Sequence, residues 1–239
     1  MKITIVGTGY VGLVTGTCFA DWGHQVLCVD NADRKVQMLK RLQMPIYEPG
    51  LEDLVKKNVD AGRLLFTNSI VEGTDLAEVI FIAVGTPPGY QGEANLSYVE
   101  QVGRKVAEHM QSYRLLVEKS TVPVNTGERL KRTVTKYLRS DIDFDVASNP
   151  EFLREGSAIE DANQPDRIVV GVETERAGRL LREVYEPVIR KSGCAFLQMN
   201  IASAELTKHA SNSFLAMKIS YINKVSQICE LAGADVEQV

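Results

Sequence analysis

Residues 1–30 read MKITIVGTGYVGLVTGTCFADWGHQVLCVD, and the fold is decided here. Lys2 to Val6 alternates and then runs apolar into Gly7, the pattern of a strand. The glycines fall as Gly7-x-Gly9-x-x-Gly12. An apolar helical pattern continues to about Trp22, and a second strand-like run, Gln25 to Val29, closes on Asp30. Each residue type has a physical task in such a unit. Gly7 makes the sharp turn out of the strand, and Gly9 lets the backbone approach a pyrophosphate. Gly12 lets the helix lie close on the sheet with its N-terminal amides facing the phosphates. Asp30 can accept hydrogen bonds from the adenosine ribose hydroxyls, which favours NAD over NADP.

The whole chain bounds what this unit can belong to. Its 239 residues are ample for a buried core, and a net charge of −4 without a basic block gives no electrostatic reason to expect nucleic acid. Three histidines with no ligand-like spacing predict no metal site. Cys18, Cys28, Cys194 and Cys229 are scattered, which suits the reduced thiols of a cytoplasmic protein better than a disulfide framework. Residues 1–20 resemble a secretory signal in composition, but the glycines fall where a dinucleotide turn needs them, so this segment is read as fold. No apolar run reaches the length of a membrane span.

Further along, Arg34 to Leu42 predicts a helix, broken by Pro45 and by Glu48-Pro49-Gly50, and Leu51 starts another that stops near Gly62. Leu64 to Thr67 and Val79 to Val84 predict strands, the second ending in the loop Gly85-Thr86-Pro87-Pro88-Gly89. Ser97, with Glu100 completing a capping box, predicts a helix start that runs to about Met110. Leu115 to Glu118 is a strand that delivers Lys119-Ser120-Thr121-Val122-Pro123, Thr126 to Leu138 is helical, and Asp145 to Ser148 is a strand. Six strands alternating with helices predict an α/β fold with a Rossmann-like doubly wound, mostly parallel sheet, whose carboxyl edge carries ligands.

After Ser148 comes Asn149-Pro150-Glu151-Phe152-Leu153-Arg154-Glu155-Gly156. Were this segment helical, Glu151 and Glu155 would share a face; an ordinary ion pair with Arg154 is the plainer alternative. Arg167 to Val172 is a strand, Glu175 to Tyr185 a helix stopped by Pro187, and Ala195 to Leu197 a short strand. Ile201 to Leu231 contains no proline or glycine and predicts one long helix ended by Gly233, with Lys208 and Asn212 on one side of it. The expected division is a cofactor-binding domain over 1–200 and a long connecting and dimerisation helix, with the start of a further helical segment, over 201–239.

Taken in order, Gly7-Thr8-Gly9-Tyr10-Val11-Gly12, Pro45-Ile46-Tyr47-Glu48-Pro49-Gly50-Leu51, Gly85-Thr86-Pro87, Lys119-Ser120-Thr121-Val122-Pro123, Asn149 to Gly156 and Lys208-x-x-x-Asn212 resemble the UDP-glucose/GDP-mannose dehydrogenase family over essentially the whole chain. The resemblance implies a four-electron oxidation of the C6 hydroxyl of a nucleotide sugar, UDP-glucose foremost, to a carboxylate by two NAD molecules. A cysteine would capture the intermediate aldehyde and carry it to a thioester. It also implies that Gly7, Gly9, Tyr10, Val11, Gly12, Asp30 and Lys35 bind the adenosine half of NAD, with Thr86, Thr121 and Glu155 along the rest. Glu151 is implied as the acid/base of thioester hydrolysis. Lys208 would stabilise the developing alkoxide and Asn212 support the reacting oxygen, with Thr121 also among the catalytic residues. Glu151, Phe152, Leu153, Arg154, Lys208 and Asn212 would face the sugar substrate. Family likeness further implies a homodimer packed through the long helix.

One departure is plain. The family's nucleophilic cysteine lies in a Gly-x-Cys-x-Pro-Lys-Asp type motif that this chain lacks, so the chain is expected to be an N-terminal portion of a larger enzyme. GDP-mannose and UDP-N-acetyl sugars are the alternative substrates. A β-hydroxyacid dehydrogenase, which removes two electrons only, and an NAD-binding regulatory module without chemistry are the competing readings.

Overall fold

A computed structural model of the chain describes residues 1–90 and 92–239. The strands are β1 (Lys2–Val6), β2 (Gln25–Val29), β3 (Leu64–Thr67), β4 (Val79–Ile82), β5 (Arg114–Glu118), β6 (Phe144–Ser148), β7 (Arg167–Gly171) and β8 (Ala195–Met199). They form one sheet in the order β3-β2-β1-β4-β5-β6-β7-β8. Every neighbouring pair is parallel except β6 and β7, which meet antiparallel at Ser148 and Gly171. The mostly parallel, doubly wound sheet expected from the alternation is therefore present, extended by two strands.

Helices cover both faces: α1 (Tyr10–Asp21), α2 (Asp33–Lys40), α3 (Leu51–Asp60), α4 (Ile70–Leu76), α5 (Ser97–His109), α6 (Thr126–Tyr137), α7 (Ala158–Asn163), α8 (Glu175–Ser192) and α9 (Ile201–Ala232). The continuous apolar run of β4 follows from this double cover, because both faces of each central strand are buried. Val79 and Phe81 join the core beneath α1 and α8, while Ile80 and Ile82 join the opposite core beneath α5 and α6. Side chains of alternate residues thus feed different cores, as the pleat requires.

Several expectations need correcting. α4 and α7 have no counterpart in the sequence reading, because helices of seven and six residues are too short for a periodic apolar signal. Ser97 is the first helical residue of α5, not its cap. Its amide is held by Asn95 Oδ1 at 3.0 Å, while Glu100 pairs with Arg129 of α6 and so makes no capping box. Pro187 does not stop α8, which runs on to Ser192 and a left-handed Gly193. Leu181, Val184, Tyr185 and Val188 bury one stripe on both sides of the proline, and that burial outweighs the roughly 3 kcal/mol an internal proline costs. Residues 151–154 form no helix, so Glu151 and Glu155 share no helical face.

α9 begins where the expectation placed it. Asn200 caps it by accepting the Ser203 amide, and its first turns pack on β7 and β6. Beyond Lys208 it runs with most of its apolar residues exposed, among them Phe214, Leu215, Tyr221 and Leu231.

Candidate active site

The glycine turn is dictated by close approach. Gly7 has φ of +103°, and a Cβ there would lie 2.4 Å from the Ala83 carbonyl oxygen. A Cβ on Gly12 would lie 1.9 Å from the Gly7 carbonyl oxygen, so any side chain there pushes α1 off β1. Gly9 is different, because a Cβ there meets nothing within 4 Å. The chain's own packing does not require that glycine, and the open space before it fits an approaching pyrophosphate. α1 starts there with no side-chain cap and no acidic residue in its first turn, which leaves its positive end available to phosphate.

Asp30, at the end of β2, is buried and held from three sides. Its Oδ2 accepts from the Thr8 amide (2.9 Å), the Thr8 hydroxyl (2.6 Å) and Lys35 Nζ (2.9 Å), and its Oδ1 accepts from the Ala32 amide (2.9 Å). Burial acts to raise the carboxyl, but the bonds from Thr8 and Ala32, together with Lys35, outweigh it and hold the group below the usual carboxylate range. Oδ1, with one donor, retains capacity for ribose hydroxyls. The residues present therefore fit a dinucleotide: turn, helix end and acid each face the space its parts need.

Toward the middle of the sheet, the loops after β4 and β5 meet. Thr86 Oγ1 donates to the Thr121 carbonyl at 3.0 Å, and Ser120 Oγ donates to the Val84 carbonyl at 2.7 Å. α9 holds this edge from behind. Glu205 accepts the Asn125 and Gly127 amides, both at 2.7 Å, and His209 Nε2 donates to the Val122 carbonyl at 2.6 Å. Glu118, fully buried at the end of β5, is pushed up to about 8 by desolvation, with the neighbouring Glu205 adding to the effect.

The decisive pairing lies beside them. Lys208 Nζ sits 2.9 Å from Glu151 Oε1, with both side chains about one-tenth exposed. The Phe152 ring lies 5.4 Å from the same ammonium and 4.6 Å from the Arg167 guanidinium. The expected alternative, a pair with Arg154, is not formed: Arg154 faces outward and binds Asp161. Beneath the loop, Lys119 Nζ donates to Asn149 Oδ1 (3.0 Å) and Tyr185 Oη donates to the same atom (2.5 Å), while Asn149 Nδ2 donates to the Val169 carbonyl. Burial pulls the Lys119 ammonium down to about 8, although Glu151 works against that shift.

A cavity of about 510 Å³ opens under this loop, lined by Lys119, Asn149, Glu151, Phe152, Leu153, Arg154 and Tyr185 among others. Its lining includes residues just past the carboxyl ends of β5 and β6 but not the glycine turn, Thr86, Thr121, Lys208 or Asn212. The sequence-derived residues thus fall into three joined groups: glycine turn with Asp30 and Lys35, Thr86 with Thr121, and Glu151 with Lys208 and Phe152. Glu155 and Asn212 are exposed and belong to none of them. Thr8, Glu48, Lys119, Asn149 and Tyr185 carry weight that the sequence reading did not assign them. Thr8 could have been found from its place inside the glycine motif, and Glu48 as a lone acid inside a Pro/Gly segment. Among the described residues no cluster of three His, Cys, Asp or Glu side chains could hold a metal, and no helix is long and apolar enough to cross a membrane.

A glycine turn feeding α1, an acid ending β2 and a mostly parallel sheet define a dinucleotide-binding α/β protein. Residues 1–189 match the NAD binding domain of the UDP-glucose/GDP-mannose dehydrogenase family and residues 202–239 its central domain, so the chain belongs to that family. The cofactor of residues 1–189 is accordingly NAD. The chain is 48% identical over 238 residues to the UDP-glucose 6-dehydrogenase TuaD of Bacillus subtilis (strain 168), covering all of this chain and 51% of that one. A UDP-glucose dehydrogenase from Pyrobaculum islandicum superposes with a TM-score of 0.93 at 42% identity, over 99% of this chain and 55% of the other. A GDP-mannose dehydrogenase from Pseudomonas aeruginosa gives the same TM-score at 32% identity, over 100% and 55%. The chain spans about half the length of the curated relatives it matches.

Proposed function

We propose that the full-length protein oxidises the C6 hydroxyl of a nucleotide sugar, UDP-glucose to UDP-glucuronate, with NAD as acceptor. The observation that carries this reading is the buried Lys208–Glu151 pair beside the Thr86–Thr121 edge of a family NAD domain. NAD, when bound, supplies the hydride acceptor. Lys208 stabilises the negative charge that grows on the sugar oxygen, a task a preorganised cation performs well in a site shielded from water. Glu151 exchanges the proton of the attacking water, and the Phe152 ring limits where the ammonium can move. Asn212, one turn beyond Lys208, faces outward where a sugar oxygen could meet it. In this reading Glu155, exposed on the loop after Arg154, reaches the nicotinamide half of the bound cofactor, and Leu153 and Arg154 border the sugar.

None of the four thiols here suits the aldehyde-trapping role. Cys18 and Cys28 are buried and pushed up to about 12, Cys229 is buried, and Cys194 sits in the turn before β8. The 239 residues alone should therefore bind NAD, and more tightly than NADP because of Asp30, yet not make the acid at an enzymatic rate. Titration calorimetry with both cofactors and NADH absorbance with UDP-glucose check this on the chain. On the full-length protein, two NADH per UDP-glucose are expected. One NADH per sugar would favour a two-electron hydroxyacid dehydrogenase, and NAD binding without turnover a regulatory module.

Residues 1–200 act in this reading as the cofactor unit and 201–239 as the connecting segment. Two copies pair through α9, whose exposed Phe214, Leu215, Ile219 and Ile222 need a cover. Four unpaired thiols suit a cytoplasmic setting.

A further inference from the structure

Glu48 lies in the segment between α2 and α3 that forms neither helix nor strand, yet only 5% of it is exposed. Its carboxylate joins three parts of the chain that are far apart in sequence. Oε2 accepts from the Tyr10 hydroxyl (2.5 Å) and from the Gly156 amide (2.8 Å), and Oε1 accepts from the Ala158 amide (2.8 Å). Tyr10 is the first residue of α1, next to Gly9 of the cofactor turn, and its hydroxyl also lies 3.4 Å from the Arg154 carbonyl oxygen. Gly156 and Ala158 close the loop that starts at Glu151, whose own Oε2 accepts the Leu153 amide at 2.6 Å. A continuous chain of bonds thus runs from the glycine turn through Glu48 to the loop bearing Glu151.

We propose that Glu48 is a positioning residue that couples the two sites: cofactor seated on the glycine turn fixes Tyr10, and through Glu48 it fixes the 151–158 loop. The naming of Glu151 as acid/base rests on the function proposed above, but the coupling does not require sugar oxidation. A carboxylate suits the task because it accepts several charge-assisted bonds at once, which neither a glutamine nor a serine can do. Burial acts to raise this carboxyl, and the donors from Tyr10, Gly156 and Ala158 outweigh it and keep it charged. Coupling of this kind is reciprocal, so a ligand that orders the loop also tightens NAD by the same factor.

Amide hydrogen exchange of residues 151–158, with and without NAD, tests the proposal, with calorimetry confirming that each variant binds NAD. In the unaltered protein, NAD should slow exchange across the loop by about tenfold, within the usual range of inter-site coupling. Glu48→Gln should still bind NAD through the turn and Asp30 while losing that slowing. Should Glu48→Gln fail to fold, exchange is compared instead in Tyr10→Phe, at NAD concentrations that saturate it because Tyr10 borders the cofactor turn. This variant keeps the bonds from Gly156 and Ala158 to Glu48 and cuts the hydroxyl link to the turn. It should show ordinary exchange without NAD and no slowing with it. Equal slowing in the unaltered protein and in Tyr10→Phe would mean that the cofactor touches the loop directly, through Glu155 for example, and would overturn the coupling. So would a loop whose exchange NAD leaves unchanged in the unaltered protein. No sugar enters the measurement, so it can fail while the oxidation assay succeeds, and the reverse.

Discussion

α1 and α9 both carry apolar residues on more than one face, and they meet opposite fates. α1 buries nine of its twelve residues between the sheet, α3 and α7. α9 buries only Ile201, Ala204, Glu205, Lys208 and Cys229 of its thirty-two. The difference teaches that an apolar surface states what must leave water, and not what will cover it. In α1 the cover is the chain's own sheet, delivered within a few residues by the glycine turn. In α9 the chain covers the start of the helix and, near its end, Cys229, and the covered start carries the chemistry: Glu205 and His209 brace the Thr121 loop, and Lys208 meets Glu151.

The buried start of α9 should therefore behave like α1, and its remainder should not. Lys208→Met leaves the Glu151 carboxylate buried without its cation and should cost about 3–5 kcal/mol in urea unfolding, most of it recovered when Glu151→Gln is added. A loss below roughly 1 kcal/mol would place the pair in effective contact with water and remove the basis for its assigned role. Leu13→Ala, in α1, should cost about 3 kcal/mol through the cavity it leaves. Leu215→Ala, in α9, should change stability by less than about 0.5 kcal/mol while shifting the sedimentation of the chain toward monomer. Similar costs at the two positions would dissolve the contrast between the helices.

A further contrast concerns pH. Glu118 is raised to about 8 in the folded chain, chiefly by burial and then by Glu205 on α9. An acid whose folded value lies above its unfolded value of about 4.3 stabilises below that value, and the contribution drains away as pH rises toward 8. Glu118→Gln, which still accepts the Ser120 amide but cannot ionise, should flatten the decline between pH 5 and 8. The difference should grow by on the order of 1 kcal/mol for each pH unit across that window. Parallel stability curves for the two proteins would show that Glu118 does not titrate in that window.

Much of the architecture was legible because it depends on local rules. The glycine turn, the continuous apolar run of β4 and the uninterrupted helical spacing of α9 each declare themselves within a short window. α4 and α7 did not, being two turns or fewer, and neither did the passage of α8 through Pro187, which depends on a buried stripe running past the proline. The cap of α5 was misplaced by one residue: Leu96 holds that position without a side-chain bond, Asn95 receives the Ser97 amide, and Glu100 is drawn to Arg129, a tertiary partner that no local pattern gives.

The sequence by itself determined the dinucleotide unit, the acid at its end and the alternation that makes the sheet, since each follows from backbone sterics and hydrophobic period. Which groups meet at the site was decided only by the tertiary structure. Spacing offered Glu151 a partner in Arg154, three residues away, but that segment is not helical, so Arg154 turns outward to Asp161. Glu151 instead meets Lys208 from α9, and Glu48 gathers Tyr10, Gly156 and Ala158. The physical reason is common to both: a buried carboxylate must find donors wherever packing brings them, and packing joins segments that no local pattern can relate.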